Sequence, residues 1–486
     1  MTRTHHPSAD VPVAVVGAGP AGLMAAITLV RQGVECLVLD RRADRSALPR
    51  ATVVSLRNME HMRAWGLETA VRAGGDDVDI LMLECETLAA ADRGTTIDVG
   101  YPTARQSEVI SPTAPACVPQ DHLEAVLFDH LTSLPAASVR TGVAVAHVDV
   151  TPTGPRLHLA DGSTVRARYV VAADGAHSAV RTSLGIPMRG DDQLHDGIHV
   201  QLRAPLWDVV GPHRFGLYVT TASDPVCVLL PAGGDRWVIG FPWDPASERL
   251  ADYTEDRLAA LIGSAAGTAG LPVRIERVGS FSFAALVADR FREGDVFLAG
   301  DAAHRVTPRG GTGMNTAMAD GFDLGWRLAW VLQGWAAPAL LDGYERDRRP
   351  LAEHNLVRSA DENGSRRAPL VETNVDRGGR IAHQWLGSPG DRSTLDLVGP
   401  GLTVFVGPDG GAWVRAAQVA GAAPPVSLHQ LDALAARVLG ITGDGALMVR
   451  PDGVVVAAWP DGASAAARLG EAVSTVSARS AQRDAA

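Results

Sequence analysis

Val11-Pro12-Val13-Ala14-Val15-Val16, running into Gly17-Ala18-Gly19-Pro20-Ala21-Gly22, is the stretch whose reading decides the fold. An apolar run breaks into a glycine turn, an Ala/Leu-rich segment follows as far as Gly33, and a second apolar run, Val34 to Leu39, ends in Asp40. The pattern reads as strand, tight turn, helix stopped by glycine, and parallel strand, the opening unit of a Rossmann-like dinucleotide-binding fold. The first two glycines let the chain turn and let its backbone approach a pyrophosphate. That group would sit on a helix N-terminus, where unpaired N–H groups and the dipole favour negative charge. Asp40 stands where the acid that holds an adenosine ribose belongs.

Working outward, no second GxGxxG follows a strand, so one dinucleotide site is expected. Tyr169 to Arg181 is an apolar strand entering a polar turn and a helix start, and Val296 to His304 again delivers an acid at the end of a buried strand. Such strand ends are where open α/β sheets bind ligands. Pro308 to Asn315 is a glycine-rich loop that should turn backbone N–H groups toward something flat or anionic. It leads into a long amphipathic helix, through Asp323, Trp326 and Arg327 to about Leu332.

Between these parts lie β-like runs at Gly197 to Leu202, Phe215 to Val219, Val226 to Leu230 and Trp237 to Phe241. With Asp79 to Glu86 and Thr95 to Val99 they predict an inserted, mostly antiparallel sheet, a natural substrate pocket over a cofactor. From about 391 the composition shifts to Gly, Pro and Ala, with apolar runs Thr403 to Val406 and Met448 to Val456 and a helical stretch Leu428 to Leu439. The expected division is a discontinuous nucleotide domain (1–75, 100–185, 290–390), a sheet domain (76–99, 186–289) and a small α/β domain (391–486). The fold class is α/β with an α+β insert.

Composition narrows the chemistry. The 486 residues are 46% hydrophobic and 20% charged, a folded balance, and all 44 basic residues are Arg. Without Lys there is no Schiff-base chemistry and no P-loop. A net charge of -11 with no basic run leaves no electrostatic footprint for nucleic acid. Cys36, Cys85, Cys117 and Cys227 are scattered, so buried free thiols in a reducing cytoplasm are expected and no metal site is. Val11 to Val30 follows Arg3, His5 and His6 like a signal peptide, but its glycines would break a membrane helix, so no membrane association is expected.

Three motifs in order, GxGxxG at Gly17 to Gly22, DGxxSxxR at Asp174 to Arg181, and GDAAH at Gly300 to His304 followed by Pro308 and GGTGMN, carry a resemblance. Over residues 10 to 360 the chain resembles the single-component FAD-dependent aromatic hydroxylases, the flavoprotein monooxygenases that share the fold of para-hydroxybenzoate hydroxylase. Leu324 to Pro350, with Gly325-Trp326-Arg327-Leu328 and Tyr344-Glu345-Arg346, looks like the subgroup acting on phenols, polyketides and other bacterial secondary metabolites, antibiotic precursors included. The tail resembles the thioredoxin-like domain that follows in larger members. With no Cys beyond Cys227 it cannot do dithiol chemistry, and Trp459-Pro460 replaces the family's aromatic-Arg ending.

The resemblance implies FAD, held by Gly17, Gly19, Pro20 and Gly22 at the pyrophosphate and Asp40, with Arg41 beside it, at the ribose. Arg50 and Gln120 would contact the cofactor, Gly300 and Asp301 the ribityl chain, and Gly313, Met314 and Asn315 would place backbone donors at the flavin pyrimidine edge. Asp174 and Arg181 are tied in the family to FAD and to a transient visit of NADPH or NADH. Read without the family, they form a buried ion pair and Asp301 a helix cap. His304 reads as a packed or hydrogen-bonded histidine, and Trp326, Trp330 and Tyr344 as core.

The implied reaction hydroxylates a small aromatic substrate with O2 through a flavin C4a-hydroperoxide, in a cytoplasmic enzyme and possible homodimer. Baeyer-Villiger insertion, epoxidation and a non-oxygenating flavin-bound metabolite-binding protein are the alternatives. No catalytic residue can be assigned; His199, Gln201, Arg203, Tyr218, Trp243 and Pro308 are the pocket candidates.

Overall fold

A computed structural model describes residues 11–419 and 423–478. Residues 1–10, 420–422 and 479–486, and with them Arg3, His5, His6 and the outermost ends of the first and last expected domains, lie outside the described residues.

The opening unit builds one sheet. Val11–Val16 pairs in parallel with Cys36–Asp40 on one side and Thr164–Ala172 on the other, and Ala137–Thr141 and Val296–Leu298 extend it at either end, also in parallel. Val13 to Val16 and Cys36 to Asp40 are buried throughout, as strands covered on both faces must be. Two-residue Arg292–Glu293 closes one edge, and the hairpin Val145–Thr151/Gly154–Leu159 runs off Thr164–Ala172. That hairpin brings His147, Asp149 and His158 within 4.8 Å of one another, a grouping their scattered sequence positions did not announce.

Helix Pro20–Arg31 lies on this sheet with every residue from Ala21 to Val30 buried. Helix Gly313–Leu332 packs directly on it, and two glycines set the approach. A Cβ on Gly321 would lie 2.1 Å from the Ala21 carbonyl oxygen, and one on Gly325 would lie 2.5 Å from the Thr28 Cβ. The long helix is not amphipathic as expected: Met314 to Met318, Asp320, Gly321 and Asp323 to Trp330 are all buried. Its polar stripe faces partners rather than water. Asp320 accepts from Arg348 at 2.8 Å, and Arg327 donates to Asp323 at 2.9 Å and to Asp347 at 2.5 Å.

The second sheet runs His304–Arg305, Arg274–Ala288, Met188–Arg203, Arg236–Pro242, Cys227–Pro231, Phe215–Thr220, Asp79–Cys85, Thr95–Asp98. All its pairings are antiparallel except Phe215–Thr220 with Asp79–Cys85. One face carries Ile198, Val200, Leu202, Tyr218, Leu229, Trp237, Ile239 and Phe241 into a core shared with Leu258 and Ile262 of helix Glu255–Ala266. The other face turns toward the nucleotide domain.

The C-terminal sheet is ordered Val426–Gln430, Leu402–Val406, Ala446–Val449, Val455–Trp459, the first pair parallel and the rest antiparallel. With helices Gly411–Val419, Ala433–Val438 and Ala465–Val476 this is a thioredoxin-like arrangement. The expected helix over Leu428 to Leu439 is shorter, because Leu428 to Gln430 is taken by the parallel edge strand. The expected run Met448 to Val456 is two strands joined by the Arg450–Val454 turn. Leu402, Val404, Val406 and Trp413 pack on Trp326 and Trp330, so the two tryptophans are core. All four cysteines are free and buried, and no helix among the described residues is long and apolar enough to cross a membrane.

Candidate active site

The glycine turn has the shape its sequence demands. Gly17 adopts φ +102, and a Cβ there would lie 2.2 Å from the Ala173 carbonyl oxygen. A Cβ on Gly22 would lie 1.9 Å from the Gly17 carbonyl oxygen, which locks helix to strand. Around Gly19 a Cβ would meet nothing within 4 Å, so this glycine leaves open space above the first turn of the helix that Pro20 begins. No side chain caps that turn, and its N–H groups remain for a ligand. Asp40 is buried; its carboxylate accepts from the Ala18 N–H at 2.6 Å and the Arg42 N–H at 2.7 Å, which ties the glycine turn to the second strand end. Arg41 beside it is exposed.

Strand Val296–Leu298 delivers Gly300 at φ +61, with its N–H donating to Asp320 at 3.0 Å. Asp320 also pairs with the His304 Nε2 at 2.6 Å, so His304 is a buried, hydrogen-bonded histidine. Asp301 next to them caps no helix. Its side chain opens onto the cleft and has no hydrogen-bond partner among the described residues. The surrounding protein pushes its carboxyl above the usual range, against the pull of His304, Arg305 and Arg50. Exposed Arg50 also acts on Glu124 and His199, which sets it between the two sheets. Gln120 opens helix Gln120–Ser133 and donates to Glu124 at 2.6 Å.

The helix after the glycine loop starts at Gly313 with no side-chain cap. Met314 is buried in the core, and the Asn315 side chain is committed inside the protein. Its Oδ1 accepts from the Ser55 N–H at 2.8 Å and its Nδ2 donates to the Val53 carbonyl at 3.0 Å. Backbone groups and the unpaired Thr312 hydroxyl are left here for a ligand. Asp174 and Arg181 do not form the ion pair that their bare reading allowed. Asp174 accepts from Ser178 at 2.5 Å and from the Val180 N–H at 3.1 Å, capping a short helix, while Arg181 donates to the Ala176 and Ala302 carbonyls, each at 3.3 Å. The arginine therefore straps the Asp174 turn to the Asp301 turn.

Facing this cradle is the open side of the second sheet. His199 and Gln201 alternate on it, neither with a hydrogen-bond partner among the described residues. Phe281 lies 5.9 Å from the His199 ring, Phe283 stacks on Phe281 at 5.1 Å, and the Arg309 guanidinium stands 5.5 Å over Phe283. Half-buried Leu217, Val219, Val228, Leu230 and Val238 extend the apolar wall. Arg236 ties the face to the nucleotide domain through Asp121 at 2.7 Å.

Three pocket candidates are not brought there. Tyr218 points to the opposite, core face, where its hydroxyl donates to the His213 carbonyl at 2.9 Å. Trp243 packs on that same core, and Arg203 is held at the strand end by Asp235 and Glu276; Pro308 is exposed beside Arg309, which stands over the wall. The aromatic wall was missed although the alternation Ser280-Phe281-Ser282-Phe283 could have announced it. Tyr101, whose hydroxyl donates to the Gly311 carbonyl at 2.9 Å, gave no signal in the sequence.

An open glycine, two uncapped helix starts and a partnerless carboxylate fit a long ligand with an anionic middle and hydroxyls on one arm, as FAD has.

Comparison with known proteins agrees. Residues 10–359 match the family model described as an FAD binding domain, and residues 375–480 the one described as aromatic-ring hydroxylase, C-terminal. The chain is 33% identical to tetracenomycin A2 monooxygenase-dioxygenase of Streptomyces glaucescens, over 93% of each chain. It is 33% identical to an aklavinone 12-hydroxylase of Streptomyces purpurascens, over 96% of this chain and 98% of the relative. The crystal structure of aklavinone-11 hydroxylase with FAD and aklavinone superposes with a TM-score of 0.85 at 30% identity, covering 97% of this chain and 100% of that one.

Proposed function

The chain belongs to the FAD-binding aromatic-ring hydroxylases, and from that premise we propose that its substrate is a phenolic aromatic polyketide, hydroxylated on the ring. It is an FAD-dependent monooxygenase. When bound, FAD takes electrons from NADPH or NADH and supplies the oxygen-activating chemistry. The chain's residues do the rest. Gly17, Gly19 and Gly22 make room for the pyrophosphate, Asp40 holds the ribose, and Asp301 accepts from the ribityl hydroxyls. Arg50 and Gln120 flank the cofactor, and the backbone from Gly313 to Asn315 donates to its pyrimidine edge. Arg181 holds the two acid-bearing turns in register.

The observation that carries the substrate reading is the face opposite Asp301 and Arg50. Phe281, Phe283, Val238 and Leu230 are an apolar wall for a flat ring system, with His199 and Gln201 as the polar groups to orient its hydroxyls. Relatives whose names specify tetracenomycin and aklavinone support the same class. The division into a discontinuous cofactor domain, a substrate sheet and a C-terminal domain without redox cysteines belongs to this reading. So do a cytoplasmic location, favoured by four free thiols, and a homodimer, favoured by exposed Val357, Leu370 and Val371.

The test is NAD(P)H consumption under air with aklavinone and a panel of hydroxyanthraquinones, followed by product mass. The expected result is consumption stimulated by at least one panel member and a ring-hydroxylated product. A ring-expanded or epoxidised product moves the reading to the alternative oxygenations, and no stimulation by any member contradicts it.

A further inference from the structure

The cleft face of the second sheet carries few groups that could change protonation near neutral pH. Leu217, Val219, Val228, Leu230, Val238, Phe281 and Phe283 are apolar, Gln201 is an amide, and Arg277 and Arg309 are permanent cations. His195 shares this face four residues before His199, edge-on to Phe283 at 6.4 Å, but it is exposed at the rim. His199 is different. It sits mid-strand and half-buried, and its two cross-strand partners are both glycines, Gly240 and Gly279. A Cβ on Gly279 would lie 2.7 Å from the His199 Cε1, so the imidazole occupies the space over that glycine, tilted 36° to the Phe281 ring and with no side-chain hydrogen bond spent within the protein.

We propose that His199 is the proton acceptor for the substrate's phenolic hydroxyl, an inference that rests on the aromatic-hydroxylase reading above. The O–H bond breaks with its electron pair left on oxygen, the proton moves to an imidazole nitrogen, and the imidazolium later gives it to water. The phenolate makes the ring carbon electron-rich for hydroxylation. The charged neighbours favour both halves of the step. Arg277 on the adjacent strand and Arg50 on the opposite wall, with burial the larger cause, hold the imidazole below the ordinary histidine value, so it is neutral and able to accept at pH 7. The same two cations stabilise the phenolate that forms. The strand on the other side adds no charge, since its Arg236 is paired with Asp121.

His199→Asn keeps a polar side chain that cannot take the proton. With aklavinone as probe, kcat should fall about 100-fold, the lower end for general base catalysis, while the protein purifies with the same FAD content. The wild-type rate should fall on the acid side of neutrality. The variant should lack that limb and climb with pH as the probe's own phenol ionises, and imidazole should restore part of the activity of His199→Ala. The long-wavelength phenolate band of bound probe, seen in the wild type at pH 7, should be lost in His199→Asn, whereas His195→Asn should behave as the wild type. A His199→Asn enzyme with the wild-type kcat and pH profile overturns the assignment. So does one that is slower with an unchanged profile, since that marks a structural role. If the wild type itself turns over no panel member, the hydroxylase reading fails and takes this inference with it.

Discussion

The two faces of the eight-stranded sheet are built from alternate residues of the same strands and yet obey different rules. On one face Ile198, Val200, Leu202, Tyr218 and Trp237 are fully buried, and the Tyr218 hydroxyl is bonded to the His213 carbonyl and the Phe215 N–H. On the other, the side chains between them, His199, Gln201, Leu217, Val219 and Val238, are mostly half-buried, and the polar ones have no partner among the described residues. The core face leaves no space, even where the buried Trp237 indole N–H finds no partner. A face that leaves polar groups and large rings half-covered is arranged for something that arrives later. Stability therefore lives on one face and recognition on the other, a few ångströms apart.

The largest expected effect breaks the core face. Trp237→Ala empties a fully buried site and should cost about 3–5 kcal/mol in urea unfolding, while molecules that still fold keep the wild-type substrate KM. Phe283→Ala does the reverse. It removes a ring held between Phe281 and Arg309, and should raise substrate KM about tenfold while stability moves by less than about 1 kcal/mol. Asp301→Ala probes the wall opposite, where a partnerless carboxylate contributes nothing to the empty fold. FAD affinity should fall about tenfold in a fluorescence titration, with the unfolding midpoint of the FAD-free protein unchanged or raised. The smallest effect sharpens the comparison at a residue that the sequence placed among the pocket candidates. Tyr218→Phe should cost about 1 kcal/mol by leaving the His213 and Phe215 backbone groups unpaired, and should leave KM alone. A tenfold KM change in that variant would mean that the two faces are not separate.

How much of this was legible follows from where each constraint acts. The glycines at 17 and 22 answer clashes with the Ala173 and Gly17 carbonyls, demands that the strand-turn-helix unit carries wherever it occurs, so the cofactor half could be read from a dozen residues. The face of a strand is a tertiary fact. In Met188–Arg203 the polar His199 and Gln201 alternate with apolar neighbours and betray the cleft side, but Phe215 to Val219 is apolar at every position and offers nothing to choose by. Tyr218 was misplaced for that reason. The helix Gly313–Leu332 misled in the opposite way: its stripe of Asp320, Asp323 and Arg327 looks like a solvent face, because the partners Asp347 and Arg348 lie on the following helix. Asn315 stands at the expected place, but its side chain is used to join the Val53 and Ser55 segment, a contact no local pattern announces.

The central claim is that this cleft holds FAD against an aromatic substrate and moves an oxygen atom between them. Its most direct test is turnover under heavy-isotope O2 with NAD(P)H and aklavinone, on protein whose visible spectrum has first been recorded after incubation with FAD and removal of the unbound excess. The account predicts an oxidised-flavin spectrum and a hydroxylated product carrying one heavy oxygen atom. A protein that is colourless once unbound FAD is removed, or a product whose new oxygen comes from water, would contradict it.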